Sequence, residues 1–153
     1  MKKYLTAFVC MLLVFLMAGC AAAPKQVELA AVRDQILRDC TIAEPILLTN
    51  DHLLNLYGIT SEDVKQSACC MTMNGIFPDE VLMIEAVDAA AADRIAQKLE
   101  GRLTEVKNQS ANYDPENYAI AQQCAVNKSG NYLALFISAK HPKMTEIYNG
   151  YFK

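Results

Sequence analysis

The sequence predicts an α+β domain in which a four-stranded antiparallel sheet, formed by two hairpins, is packed by a long helix and flanking shorter helices. The chain has 153 residues, the length of a single domain. Two pairs of segments show the period-two apolar alternation of strands, and a long segment between the pairs shows helical apolar spacing. Two hairpins separated by one helix and followed by another favour a sheet with helices on one face.

The first half of residues 26–153 is predicted to hold two helices and the first hairpin. The helices are indicated by apolar residues at helical spacing, by Asn50 as an N-cap and by Gly58 as a left-handed C-terminal residue. Turn residues at 75–79 separate two alternating segments. The predicted elements are helices from Val27 to Cys40 and Asp51 to Tyr57, and strands from Ser67 to Asn74 and Val81 to Val87.

The alternation also predicts which side chains of this first hairpin face the core. Cys69 shares its face with Met71 and Met73, so Cys69 is expected to lie inward and Cys70 on the wetter side. In the next strand Glu85 is expected on the wetter face. Cys70 should therefore react with alkylating reagents before Cys69 does.

The second half is predicted to hold the longest helix, a short helix, the second hairpin and a final helix. Asp88 precedes the longest helix and Asp114 the short helix as N-caps, and Pro115 suits the first turn of the short helix. A two-residue loop at Ser129-Gly130 pairs Lys128 with Asn131, Val126 with Leu133 and Cys124 with Leu135. The predicted bounds are Ala89 to Gln109 for the long helix, Cys124 to Lys128 and Asn131 to Ser138 for the strands, and Lys143 to Phe152 for the final helix.

The apolar faces of these elements predict one shared core. Each residue follows the period of its own element, 3.6 in the helix and 2 in the strands. The expected core members are Ile84, Leu99, Leu103, Leu133 and Leu135, with Cys124 inward as well.

The first nineteen residues indicate export. Lys2 and Lys3 are followed by an apolar run from Tyr4 to Ala18. That run is short for a permanent membrane span and has the size of a signal-peptide core. An ordinary cleaved signal peptide and an uncleaved anchor are the alternatives to the lipid anchor described next.

The junction Leu16-Met17-Ala18-Gly19-Cys20 resembles the lipobox of bacterial lipoproteins. The resemblance implies that Cys20 is diacylated on sulfur, as by palmitate, and becomes the first residue of the mature chain. Two acyl chains suffice for stable membrane anchoring. The expected organisation is a signal peptide over 1–19, a lipidated tether over 20–25 and one domain over 26–153, held at the outer face of the cytoplasmic membrane in the cell envelope.

The mature part resembles a known family through three stretches. These are Tyr57-Gly58-Ile59, the segment from Pro78 to Ala86, and Gly130-Asn131-Tyr132 before an apolar strand. Together with the leader they are similar to the domain of unknown function numbered four-three-five-eight, found in lipoproteins of Gram-positive anaerobes. The resemblance implies a location and a shape, and no activity, for about residues 26–152.

Composition and motifs exclude several classes of function. From Cys20 onward the chain has 12 Lys and Arg against 17 Asp and Glu, without a basic stripe, so nucleic acid is not an expected partner. HExxH, GxSxG, GxGxxG and Walker motifs are absent from the sequence. His52 and His141 are expected to be surface residues. The sequence assigns no catalytic residue, no metal site and no cofactor.

Three other residue groups have a structural interpretation and a functional alternative. Reduced, structural cysteines are favoured over a disulfide at Cys40, Cys69, Cys70 and Cys124, and both readings stay open. Asn112, Asp114 and Glu116 have the spacing of a calcium loop, but helix capping explains Asp114 and Glu116 without a metal. The tyrosines suit the margin of a small core and could alternatively line a sugar or peptide groove; they are Tyr113, Tyr118, Tyr132, Tyr148 and Tyr151.

Three functional hypotheses follow. The first is a lipid-anchored, non-catalytic domain that binds an envelope protein or a small ligand. The second is an accessory subunit or chaperone-like factor of an envelope complex. The third is an envelope enzyme that uses Glu80 or Glu85 with Asp79, which is disfavoured because the sequence offers no convergent base and nucleophile.

Overall fold

The computed structural model describes residues 26–42, 44–73 and 78–153. Within these residues the chain is an α+β fold with five α-helices and a six-stranded antiparallel sheet. The lipidation site predicted at Cys20, its leader and its tether lie outside the described residues. The elements are α1 (Leu29–Asp39), β1 (Ile46–Leu48), α2 (Asn50–Tyr57), a 3-10 turn (Ser61–Asp63), β2 (Val64–Ser67), β3 (Cys69–Met71), β4 (Glu80–Ala86), α3 (Ala89–Ser110), α4 (Pro115–Gln123), β5 (Val126–Ser129), β6 (Tyr132–Ile137) and α5 (His141–Gly150).

The sheet has six strands, whereas the sequence predicted four. β4 pairs with β6 on one side, and β2 and β3 pair with successive parts of β4 on the other. The segment predicted as one strand from Ser67 is divided at Ala68, although the N–H of Ala68 still donates to the Met83 carbonyl at 2.9 Å. β1 pairs with β3 and β5 with β6, so β1 and β5 are edge strands, and β2, which pairs with β4 alone, is a third. β1 and β2 have only three and four residues, too few for a period to be recognised.

Helices cover both faces of the sheet, so the prediction of helices on one face is wrong. α3, with α2 and α4 beside it, packs on the face of Leu82 and Ile84, while α1 and α5 pack on the face of Val81 and Met83. Every residue of β4 is buried. A strand that is nearly continuously apolar is typical of a sheet covered on both sides, and the sequence of β4 has this character.

The predicted core between the long helix and the sheet is confirmed. Its five members, Ile84, Leu99, Leu103, Leu133 and Leu135, belong to one cluster of buried residues. Cys124 also belongs to that cluster, but it is the C-cap of α4 rather than a strand residue. The long helix begins after Asp88, whose carboxylate accepts from the N–H of Ala91 at 2.7 Å, as its N-cap role predicted.

Two local predictions, the N-cap of α2 and the loop and register of the second hairpin, are corrected by one or two residues. α2 is capped by Thr49 and not by Asn50, in a reciprocal arrangement with His52. The second hairpin pairs Ser129 with Tyr132, so its loop is Gly130-Asn131 and Val126 lies opposite Leu135. Gly130 has φ +59°, which suits a two-residue hairpin loop, and the two-residue shift leaves the buried face unchanged.

The prediction that Cys70 lies on the wetter side is wrong. Cys69 and Cys70 point to opposite faces as predicted, but both faces are covered, and the two side chains are 2% and 0% exposed. Burial raises the pKa of the Cys69 thiol to about 12 and that of the Cys70 thiol to about 11. All four cysteines in the described part of the chain are buried free thiols.

We therefore expect neither Cys69 nor Cys70 to react with iodoacetamide in the native protein. Both thiols should become fully reactive on unfolding in urea without a reductant, because each is protected by burial rather than by a disulfide. Peptide mapping by mass spectrometry measures this. Met73→Cys, at a position that is 69% exposed, is the reactive control. Rapid native labelling of Cys70 would contradict the two-sided packing.

None of the helices within residues 26–42, 44–73 and 78–153 has the length and apolar composition needed to cross a membrane.

Candidate functional site

A polar network surrounds Glu85, which was expected on a wet face but is only 5% exposed. β4 and β2 lie side by side here, and Glu85 faces Gln66 across the ladder. Lys65 Nζ donates to Glu85 Oε1 at 2.7 Å, and Gln66 Nε2 donates to Glu85 Oε2 at 2.6 Å. Each carboxylate oxygen therefore has a donor, which is what makes burial of the charge tolerable.

The same network holds the beginning of the described chain against the sheet. Gln66 Nε2 also donates to the Val27 carbonyl at 2.9 Å, and Gln66 Oε1 accepts from the N–H of Leu29 at 3.1 Å. The Tyr132 hydroxyl accepts from the N–H of Val27 at 3.1 Å. We call Val27, Leu29, Gln66, Glu85 and Tyr132 the N-terminal clamp. It fastens the chain that enters the domain to the centre of the sheet.

The electrostatics of the N-terminal clamp favour an ionised Glu85. Burial raises the pKa of this carboxyl, but hydrogen bonds from Gln66, Lys65 and Tyr132 outweigh the effect, so its pKa lies below the usual range. The pKa of Lys65 is raised in turn, chiefly because its ammonium group donates a hydrogen bond to Glu85. Glu85 is therefore a fixed anion rather than a group ready to exchange a proton near neutral pH.

The pKa of Glu85 is lower in the folded than in the unfolded chain, so its ionised form stabilises the fold at pH values above the ordinary carboxyl pKa. This stabilisation is lost as the pH falls through the pKa that Glu85 has in the folded chain. We expect Glu85→Gln to be less stable than wild type at pH 7. The deficit should shrink below about pH 4, where the carboxyls of the unfolded chain are protonated. Urea melts at pH 7 and below about pH 4 measure the difference in the free energy of unfolding. Equal deficits at both would show that the charge of Glu85 contributes nothing.

Two adjoining open cavities, of about 470 and 430 Å³, lie beside the N-terminal clamp. Gln26, Lys65 and Glu85 line both of them. The first is also lined by Ser129, Gly130, Asn131 and Tyr132 at the second hairpin loop. Their walls offer amide, hydroxyl and ammonium groups, which suit a small polar ligand or a segment of polypeptide.

A second buried carboxylate, Glu80, lies at the other end of β4 on the opposite face. Arg102 of α3 donates to it through Nη2 at 2.6 Å and Nε at 3.2 Å, and the Tyr57 hydroxyl donates at 3.1 Å. Arg102 also donates to Glu105 at 2.8 Å, and its guanidinium lies 6.0 Å from the centre of the Tyr57 ring. We call Glu80, Arg102 and Tyr57 the Glu80 network; it joins α2 and α3 to the sheet.

The positions of Glu80 and Glu85 bear on the hypothesis of an envelope enzyme. They are separated by five positions on one strand, so they face opposite layers of the fold. Each is already engaged by a cation and by neutral donors. The expectation that Glu85 lies on the wetter face is wrong, and both carboxylates are held by fixed donors.

The remaining candidate residues do not converge on one site. The His52 side chain accepts from the N–H of Thr49, the N-cap of α2, and His141 begins α5. Asp114 accepts from the N–H of Asn117 at 3.1 Å, which confirms the capping interpretation. In the described residues no group of three or more His, Cys, Asp and Glu is placed to hold a metal ion. Of the tyrosines, Tyr132 and Tyr148 are buried in the core and Tyr113 is 89% exposed, so they do not line a common groove.

No sequence pattern indicates Lys65, Gln66 or Tyr132 as partners of Glu85. Their contacts bring together chain positions separated by 19 to 105 residues. A single Gln in a four-residue strand has no motif around it, so only the tertiary structure shows that it joins the incoming chain to the sheet.

Comparisons with known proteins assign a family without adding an activity. No curated protein and no solved structure matches this chain. The family model described as "Domain of unknown function (DUF4358)" matches residues 44–138, which include β1 to β6 and most of both polar networks. The chain therefore belongs to the DUF4358 family of domains of unknown function.

Proposed function

We propose that this protein is a lipid-anchored lipoprotein of the cell envelope whose folded domain is a non-catalytic binding domain. Cys20 would carry the diacyl modification after removal of residues 1–19, and the domain would lie at the outer face of the cytoplasmic membrane. The observation that carries the proposal is the leader, a Lys2-Lys3 start and an apolar run ending in Ala18-Gly19-Cys20. Two acyl chains supply stable membrane attachment.

The N-terminal clamp, which lies where the tether would join the folded domain, supports this proposal. Residues 20–25 would span at most about 20 Å when fully extended. The clamp fastens the chain at Val27 through hydrogen bonds with Gln66 and Tyr132. A lipid at Cys20 would thus hold the domain close to the bilayer by a firmly seated connection.

A binding role is favoured over catalysis by the state of the polar groups. Glu80 and Glu85 are saturated by fixed donors, and the cysteine thiols of the described residues are buried. The open cavities beside Glu85 offer a place for a small polar ligand. The alternative of an accessory subunit of an envelope complex is supported by exposed apolar side chains near one edge of the sheet: Ile46 and Leu47 of β1 and Met73.

The test is membrane fractionation of the wild type and of Cys20→Ala. We expect the wild type to stay with membranes after a high-salt wash and to be released by detergent, whereas Cys20→Ala retains the leader or is released into the soluble fraction. Cys10→Ala, which alters the cysteine inside the leader, should behave like the wild type. A Cys20→Ala protein that is processed and as firmly bound as the wild type would rule out lipid anchoring.

A further inference from the structure

The backbone of the chain that enters the domain is fastened by side chains of the sheet. The N–H of Val27 donates to the Tyr132 hydroxyl at 3.1 Å, and its carbonyl accepts from Gln66 Nε2 at 2.9 Å. The N–H of Leu29, the first residue of α1, donates to Gln66 Oε1 at 3.1 Å. Glu28 is the N-cap residue of α1, but its side chain makes no capping hydrogen bond. Gln66 therefore supplies from β2 an acceptor that the start of the helix needs.

Glu85 determines which way round these contacts are made. An ionised carboxylate only accepts hydrogen bonds, so Gln66 turns its NH2 group to Glu85 Oε2, at 2.6 Å, and leaves Oε1 to accept from Leu29. Tyr132 lies opposite Glu85 in the ladder and directs its hydroxyl hydrogen to the carboxylate, so its oxygen can accept from Val27. A reversed Gln66 amide would set its NH2 group against the N–H of Leu29 and its oxygen against the Val27 carbonyl.

We propose that residues 26–28 form a strap across the two cavities beside Glu85, and that the negative charge of Glu85 holds this strap shut. Gln26, Val27 and Glu28 line the second cavity, and Gln26 lines the first as well. Opening of the strap would therefore remove one wall of the second cavity and uncover the carboxylate.

The strap can open while the rest of the domain stays folded. Its apolar anchor is the Val27 side chain, which is 3% exposed in the layer of α1 and α5. α1 is held separately, because Leu29, Val32 and Ile36 are fully buried along one face of the helix. Local opening of a few residues costs less free energy than global unfolding. Access to the cavities would then depend on the strap; this consequence alone rests on the proposed binding function.

The experiment is thiol labelling of the full chain with iodoacetamide, read by peptide mapping. Val27→Cys places a thiol where the side chain is 3% exposed, so it should react slowly while the strap is shut. Adding Glu85→Gln should raise the labelling rate at position 27 at least tenfold, because the NH2 group of a glutamine would meet donors instead of accepting from them. Cys70, which is 0% exposed in the same layer, should react at least a hundredfold more slowly than position 27 in the same molecules.

Two further variants, each combined with Val27→Cys, test the cause of the opening. Glu100→Gln removes the same charge at an exposed position of α3 and should leave the labelling rate at position 27 within twofold. Gln66→Met keeps the length of the side chain and removes two of the three contacts to the backbone of the clamp. It should raise the rate at position 27 as Glu85→Gln does.

Four results would overturn the proposal. Rapid labelling of Val27→Cys alone means that the strap is not shut. An unchanged rate after Glu85→Gln means that the charge does not hold it. Equal rates at positions 27 and 70 with Glu85→Gln mean that the charge holds the whole domain, and equal rates with Gln66→Met mean that the strap does not open as a separate unit. Membrane attachment of the same samples is measured separately, so none of these results is confused with a failure of the lipid anchor.

Discussion

Replacing Arg102 by alanine is expected to destabilise the folded domain by about 3–5 kcal/mol. The guanidinium makes a two-point contact with Glu80, whose side chain is 1% exposed. Without it the carboxylate would keep only the Tyr57 hydroxyl at 3.1 Å. Removing one partner of a buried pair costs more than the pair contributes, because a charge is left without compensation. Chemical unfolding in urea measures the loss.

Two further variants separate this effect from lost packing. Glu105→Ala removes the exposed partner of Arg102 and should change the stability by less than about 1 kcal/mol. The double variant Glu80→Met with Arg102→Met removes both charges and keeps most of the volume, so it should recover most of the loss. A double variant as unstable as Arg102→Ala would mean that shape, and not charge, explains the effect.

Leu99→Ala is expected to cost about 2–5 kcal/mol. Leu99 is fully buried where the long helix packs on Leu82, Leu133 and Leu135, so truncation leaves a cavity in the larger core. Gly101→Ala is the matched control on the same helix, since a Cβ there meets nothing within 4 Å. It should stabilise the helix by up to about 1 kcal/mol. A loss below about 0.5 kcal/mol for Leu99→Ala in a urea melt would contradict the burial of this helix face.

The elements predicted best are those whose apolar pattern repeats over many residues or that begin at a clear N-cap. The helix after Asp88 and the strand around Leu133 to Ile137 repeat an apolar pattern often enough to fix both type and face. β1 and β2 are too short to show a period, so neither was recognised as a strand of its own and the predicted sheet had four strands. The assumption of one open face then misplaced Cys70 and Glu85, although their alternation along each strand was correct.

The candidate site was less accessible to sequence reasoning than the fold. Glu80 and Glu85 were identified as carboxylates of interest, but their partners come from distant segments, and nothing near Gln66 or Arg102 indicates them. Glu85 was expected on the wetter face because it alternates with Ile84 along its strand. Burial is tolerated here because each carboxylate has a cation and neutral donors arranged around it.

The most direct test of the lipid anchor is the mass of the mature N-terminus in the membrane fraction. The sample is the wild-type protein extracted from washed membranes and digested, and its first peptide is measured by mass spectrometry. The anchor requires that residues 1–19 are absent and that Cys20 carries a diacylglyceryl group on sulfur. An N-terminal peptide with an unmodified Cys20, or one that still contains the leader, would contradict it.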